Sequence, residues 1–208
     1  MTNSKQFIFT FFLAFLFAVS SKGQIVSNGS AVLLEPQAEI TAIVEMITTK
    51  GTITIGLYGK DAPMTVGNFI GLIKEKFYDS ILFHRIVKDF VIQVGDEKTK
   101  NPKLKTTWGT GGKSFYGSSF KDELSPDAPS YQSGYQRGVV AMANSGPNTN
   151  TSQFFICLTN LSLAKSYTIF GKVLNGLHIV DAIAATASDS GNGAEEVRII
   201  SISIKKQY

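Results

Sequence analysis

Cysteine occurs once in the 208 residues, at Cys157, histidine twice, at His84 and His178, and tryptophan once, at Trp108. A single thiol permits no intrachain disulfide, so no disulfide framework underlies the fold. One cysteine and two histidines do not make a typical zinc site without carboxylates, and neither a metal nor a cofactor is expected. Long apolar stretches are missing too: the run from Phe7 to Val19 stops at 13 residues, short of the about 20 that span a membrane. Excess charge is small. The formal net charge is +4, and Lys5 and Lys22 lie in the leader described next, so its removal lowers that value by two. Nothing in this balance calls for nucleic acid or a membrane as partner.

What is present begins with that leader. Lys5, the run from Phe7 to Val19 and the small or polar Ser20, Ser21 and Gly23 form the pattern of a secretory signal peptide over residues 1–23. Cleavage after Ser20 or after Gly23 fits equally, and an uncleaved anchor is the alternative. No cysteine follows the run, so a lipid-modified N-terminus is excluded. Residues 24–38 carry no clear period and read as a tether to a domain over 39–208.

Within the domain, Ile40, Ala42, Val44 and Met46 alternate, Thr49-Lys50-Gly51 turns the chain, and Ile53, Ile55 and Leu57 alternate again, the pattern of a β-hairpin. The period then changes. Val66, Phe69, Ile70 and Ile73 follow helical spacing behind Asp61, a candidate N-cap, and Pro63, and this helix is expected to end near Lys76. Leu177, Val180, Ile183 and Ala184 mark a second helix after Asn175-Gly176, Ser188 to Gly193 a flexible turn, and Val197 to Ile204 a last strand. Many strands, two helices and no βαβ alternation predict a mostly β domain, a closed antiparallel barrel capped at both ends.

Two stretches stand out. In FHRIVKDFVIQVGD (83–96), Arg85 sits amid β-branched and aromatic residues and on a strand faces away from His84 and Ile86. MANSGPNTNTSQFFI (142–156) has the same mixed character, and Phe154 and Phe155 there must face opposite ways, Phe154 to the core and Phe155 outward. With GTGGKSFYG (109–117) and YTIFGKV (167–173), in that order, the chain resembles the cyclophilin family of peptidyl-prolyl cis/trans isomerases over roughly residues 39 to 206. The match looks most like a secreted member of bacterial type.

The resemblance implies an eight-stranded barrel and an isomerase of Xaa-Pro bonds acting on proline-containing peptides and unfolded proteins. It assigns the catalytic role to Arg85, an apolar proline pocket to Phe90, Val91, Phe155, Leu163 and Tyr167, and a polar groove to Gln93 and Asn144 with Ala143, Ser145, Gln153 and the backbone of Gly109. The chemistry suits these residue types. Amides donate and accept without titrating, so activity should be flat near neutral pH. His84 reads as a structural, hydrogen-bonded histidine and Cys157 as a small buried hydrophobe.

The sequence departs from the family in places. Val91 stands where methionine is frequent, Tyr167 where many members have histidine, and Leu163-Ala164-Lys165-Ser166 replaces a common Leu-Asp-Gly-Lys. Ser162 aligns with a site that is commonly aromatic and associated with cyclosporin, so weak cyclosporin binding is expected. The lysine-rich stretch from Glu97 to Trp108 looks several residues long; it reads as a solvated loop, or as a rim that prefers acidic substrates or membrane head groups. A proline-binding chaperone or scaffold with little turnover is the alternative function, and a monomer is expected. Asn28, Asn150 and Asn160 each begin an N-glycosylation pattern. Glycans at the last two would crowd the groove, which favours periplasmic or bacterial export over eukaryotic secretion.

Overall fold

The structure, a computed structural model, describes residues 24–27, 30–33, 37–188 and 196–208. The leader, Asn28 and all but Ser188 of the turn expected over 188–193 lie outside them. The chain divides into two compact units, residues 1–36 and 37–208. In the first, within the stretch expected as a tether, strands β1 (Gln24–Ser27) and β2 (Ser30–Leu33) pair antiparallel.

The second unit starts with the expected hairpin. Strands β3 (Ala42–Thr48) and β4 (Gly51–Leu57) pair in register from Ala42 with Leu57 to Thr48 with Gly51. Thr48 closes the turn, donating from its hydroxyl to the Gly51 carbonyl at 2.8 Å and accepting the Lys50 N–H at 3.1 Å. Gly51 has a φ of +134°, a backbone region that side chains avoid.

Helix α1 (Pro63–Lys74) follows, and its N-terminus is not capped by Asp61. Glu123 reaches across from a distant loop instead, accepting the N–H groups of Met64 at 2.9 Å and Thr65 at 2.8 Å and the Thr65 hydroxyl at 2.8 Å. Those N–H groups have no partner inside a helix, and a carboxylate satisfies them while complementing the helix dipole. Asp61 is engaged elsewhere, accepting the N–H of Ser130 at 2.8 Å in the short helix α2 (Pro129–Ser133). The second expected helix is α3 (Leu177–Ala184), entered through Gly176 at φ +92°.

Strands β5 (Arg85–Val87), β6 (Val91–Val94), β7 (Val139–Met142), β8 (Phe154–Cys157), β9 (Ile169–Asn175) and β10 (Ile199–Gln207) complete one antiparallel sheet of eight strands. Its order is β10-β3-β4-β9-β7-β8-β6-β5. The expected closed barrel is therefore corrected: the sheet curls into an open half-barrel with β10 and β5 at its edges. The cause is local. β5 is three residues long, and the chain before it, rather than β5 itself, meets β10. Ser80 and Phe83 donate to Ile199 and Val197, Ile199 donates to Ile81, and Leu82 bridges Arg198. That seam brings the chain ahead of β5 to the start of β10 and leaves β5 paired with β6 only.

The period of two in β7 and β8 sorts the chain into two apolar clusters. Val140, Met142, Phe154 and Ile156 face the main core, where Phe69 of α1 packs 5.1 Å from Tyr78 and 5.3 Å from both Phe154 and Phe170, centroid to centroid. Val180 and Ile183 of α3 belong to the same core. Their neighbours Val139, Ala141, Phe155 and Cys157 face the opposite side and form a smaller cluster with Tyr58, Val91, Tyr135 and Ile169. Burial there pushes the Cys157 thiol up to about 12.

Candidate active site

The smaller cluster carries the site, and the sheet register builds it. Arg85 pairs with Gln93, Gln93 with Phe155, and Phe155 with Ala141, across β5, β6, β8 and β7. Residues directly opposite in an antiparallel sheet share a face, so a guanidinium, an amide and an aromatic ring stand in one row. Ile86, Ile92 and Phe154 point the other way into the core.

Over this row opens a cavity of about 270 Å³, lined by Arg85, Phe90, Val91, Gln93, Ala143, Asn144, Phe155, Leu163 and Tyr167. All nine were expected there. The other three expected residues, Gly109, Ser145 and Gln153, line an adjoining hollow of about 90 Å³ that shares Gln93, Ala143 and Asn144 with the first.

The walls are held by contacts between side chains. Phe155 meets Tyr167 edge-on at 5.6 Å, and Tyr135 lies 6.5 Å from Phe155 and 6.3 Å from Tyr167. Tyr135 also fixes the Tyr167 backbone, donating its hydroxyl to the Tyr167 carbonyl and accepting the Tyr167 N–H, both at 3.0 Å. Burial raises the Tyr135 pKa above the usual phenol value, so the hydroxyl stays protonated and able to donate. The Arg85 guanidinium stacks over Phe90, 5.5 Å from its centroid. Among the described residues it has no carboxylate partner, and it lines the cavity.

The polar side is a relay. Gln93 donates to Gln153, and Gln153 donates to the carbonyls of Gly109 at 3.0 Å and Gly111 at 2.7 Å. From behind, the buried Asp96 carboxylate accepts the N–H groups of Gly109 at 2.5 Å, Gly111 at 3.1 Å and Lys98 at 2.8 Å. Gly109 itself sits at φ +90°, which places it in the left-handed region. Asn144 uses its side chain within the site, donating to the Ser166 carbonyl at 2.9 Å and so tying down the 162–166 loop.

His84 is buried beside Gly109, and neither ring nitrogen meets a partner in full hydrogen-bond geometry. Burial lowers its pKa from the ordinary value, against the opposing pull of Asp96 and of hydrogen bonding with the Leu82 backbone and the Gln153 side chain, so it stands neutral at pH 7. The sequence reading missed Asp96 and Tyr135 as supports of the site. Asp96 ended the first motif, which was the available signal; Tyr135 lay in no motif.

The model of the family described as cyclophilin type peptidyl-prolyl cis-trans isomerase/CLD matches residues 43–204. The chain belongs to that family. This cyclophilin is 40% identical over 159 residues to the peptidyl-prolyl cis-trans isomerase CYP18-2 of Arabidopsis thaliana, covering 76% of the chain and 90% of the relative. It is 43% identical over 152 residues to ppi1 of Schizosaccharomyces pombe, covering 73% and 90%. Human peptidyl-prolyl cis-trans isomerase-like 1 is 41% identical over 155 residues, covering 74% and 86%. A crystal structure of a Cryptosporidium parvum cyclophilin superposes with a TM-score of 0.70 at 33% identity, covering 80% of this chain and 99% of that one. The same protein in the presence of the dipeptide Ala-Pro gives a TM-score of 0.69 at 33% identity, covering 79% and 99%. All these relatives are eukaryotic, and none bears on the expected bacterial secreted type. The activity of the cyclophilin follows from its family: it is a peptidyl-prolyl cis-trans isomerase.

Proposed function

We propose that Arg85 performs the isomerisation by donating a hydrogen bond to the prolyl nitrogen of a substrate seated in the 270 Å³ cavity. Amide resonance holds the Xaa-Pro bond planar behind a barrier of ~20 kcal/mol. At the top of that barrier the nitrogen has left conjugation and regained a lone pair. A donor aimed at it binds the twisted state and not the planar ones, which is what lowers a barrier. The proline ring is held by Phe90, Val91, Phe155, Leu163 and Tyr167 while the acyl part turns, and Gln93 is within the same cavity to hold the substrate backbone.

The observation that carries this reading is the cross-strand row from Arg85 through Gln93 to Phe155. It gives the donor and the apolar wall one face and a fixed spacing. Substrates are proline-containing peptides and unfolded chains, in keeping with the Ala-Pro dipeptide present with the Cryptosporidium relative. The leader supports an exported, periplasmic or secreted protein, and bacterial export of a monomer is part of the proposal. Of the two glycosylation patterns beside the groove, Asn160 is exposed, whereas Asn150 is fully buried and spends its amide on Phe120 and Asp122.

The test is turnover of a short Xaa-Pro peptide by Arg85→Ala against the wild type. Losing a charged hydrogen bond of roughly 1.5–3 kcal/mol lowers kcat/KM about ten- to a hundred-fold. Equal rates, both above an uncatalysed control, remove Arg85 from this role. Tight peptide binding without turnover in the wild type favours a scaffold instead.

A further inference from the structure

The lysine-rich stretch is not a featureless loop. It folds into two 3-10 turns, Glu97–Lys100 and Pro102–Thr107, and of its lysines Lys98 reaches Thr110, a residue that lines the smaller hollow. The Lys98 backbone is held on both sides: the N–H goes to Asp96, and its carbonyl accepts the Trp108 indole N–H at 3.1 Å. Its ammonium donates to the Thr110 hydroxyl oxygen at 2.8 Å, and Thr110 lines the hollow. The Thr110 proton is already committed to the Thr107 carbonyl at 2.7 Å, so Lys98 keeps two N–H donors to spare.

The hollow receives amide, hydroxyl and backbone groups from Gln93, Gly109, Gly111, Ser145 and Gln153, and no carboxylate lines it. Two acids do lie close. Asp96 is buried and met by three N–H groups, and the Glu97 carboxylate is tucked beside it where a Gly111 side chain would project. Among the described residues, neither they nor any other acid forms an ion pair with Lys98. Because the hollow shares Gln93, Ala143 and Asn144 with the prolyl cavity, a peptide anchored by its proline runs across it.

We propose that Lys98 is a specificity-determining residue that selects substrates carrying an aspartate or glutamate beside the Xaa-Pro unit, the acidic side chain entering this hollow and pairing with its ammonium. The proposal rests on the isomerase reading of the neighbouring cavity. A cation whose backbone is already ordered gives up less freedom on binding than a loose surface lysine. The pair remains near solvent, so its yield is roughly a three- to five-fold preference, weakened by salt.

The experiment uses the full chain and proline peptides that differ at one residue, Glu, Gln or Lys, placed in turn at each of two positions before and after the Xaa-Pro unit. At one position Glu is expected to exceed Gln by roughly three- to five-fold in kcat/KM. Lys98→Gln abolishes the difference, Lys98→Glu reverses it in favour of the Lys peptide, and Lys60→Gln leaves it unchanged. A Glu-to-Gln ratio near one at every position, or a ratio unaltered by Lys98→Gln, overturns the proposal. Failure of the isomerase reading looks different, since then no peptide turns over, the Gln series included. In that case dissociation constants of the same peptides, measured by NMR titration, replace the rates: tighter binding of the Glu peptide that Lys98→Gln removes supports the selection, and equal binding overturns it.

Discussion

Gln93 and Gln153, sixty residues apart in the chain, share a hydrogen bond of 2.9 Å from the first Nε2 to the second Oε1. That bond fixes which way each amide points. The Gln153 Nε2, its acceptor oxygen now occupied, turns to the carbonyls of Gly109 and Gly111, and the Gln93 oxygen is left to accept from a substrate. Gln153→Leu keeps the bulk but removes the bonds to two carbonyls at the solvent edge and frees Gln93 to rotate. At roughly 0.5–1.5 kcal/mol for a lost hydrogen bond, kcat/KM is expected to fall about two- to ten-fold with Arg85 intact. A variant of unchanged kcat/KM shows that the relay does not set the groove.

His84 supplies a pH dependence of stability rather than of rate. Its folded pKa lies below the ordinary 6.5 because burial disfavours the charged ring. As pH falls the unfolded chain therefore takes up the proton first. The stabilisation is complete above about 6.5, and it is lost as pH falls from there through the lower folded value. Urea midpoints between pH 7.5 and 5 are expected to decline for the wild type and to decline less for His84→Gln. Parallel curves for the two remove His84 as the source.

Helix α1 tests a correction to the sequence reading. Glu123, and not Asp61, satisfies its first N–H groups. Glu123→Ala removes three hydrogen bonds to a carboxylate, at a cost of about 1–3 kcal/mol, which for a domain of this size lowers Tm by roughly 3–10 °C. Asp61→Ala leaves the α1 amides as protected from hydrogen exchange as in the wild type and exposes the Ser130 N–H instead. Loss of α1 protection in Asp61→Ala would restore Asp61 as the cap.

The pattern of success follows the range over which each feature is encoded. The β3–β4 hairpin was legible because alternation on both sides of Lys50-Gly51 is a local signal. β9 carries no strand signal of its own within YTIFGKV: Ile169, Phe170, Gly171 and Val173 are all buried, so both faces are covered and no alternation appears. Eleven of the twelve site residues converge because the motifs carry them as blocks, and Leu163 lies in the short loop between two of those motifs. Asp96 and Tyr135 act through backbone groups 13 to 32 positions away, and such bonds leave no periodic trace. Barrel closure depended on whether β5 or the chain ahead of it would meet β10, which no single segment encodes.

The loop from Leu161 to Ser166 makes the last prediction. Ser162 is exposed and does not line the prolyl cavity, while Leu163 and Tyr167 beyond it do. A cyclic peptide as large as cyclosporin is expected to reach beyond the proline pocket, and at Ser162 it would meet a hydroxyl where an aromatic would offer a broad apolar wall. Inhibition of the wild type is therefore expected to be weak. Ser162→Trp adds apolar area at an exposed position without disturbing the Asn144 to Ser166 bond that anchors the loop, and burying part of an indole is expected to tighten cyclosporin roughly ten-fold. Turnover of an unmodified proline peptide should stay unchanged, because the cavity itself is untouched. Tight inhibition of the wild type, or no gain from the tryptophan, would mean that Ser162 does not stand at the edge where the inhibitor lies.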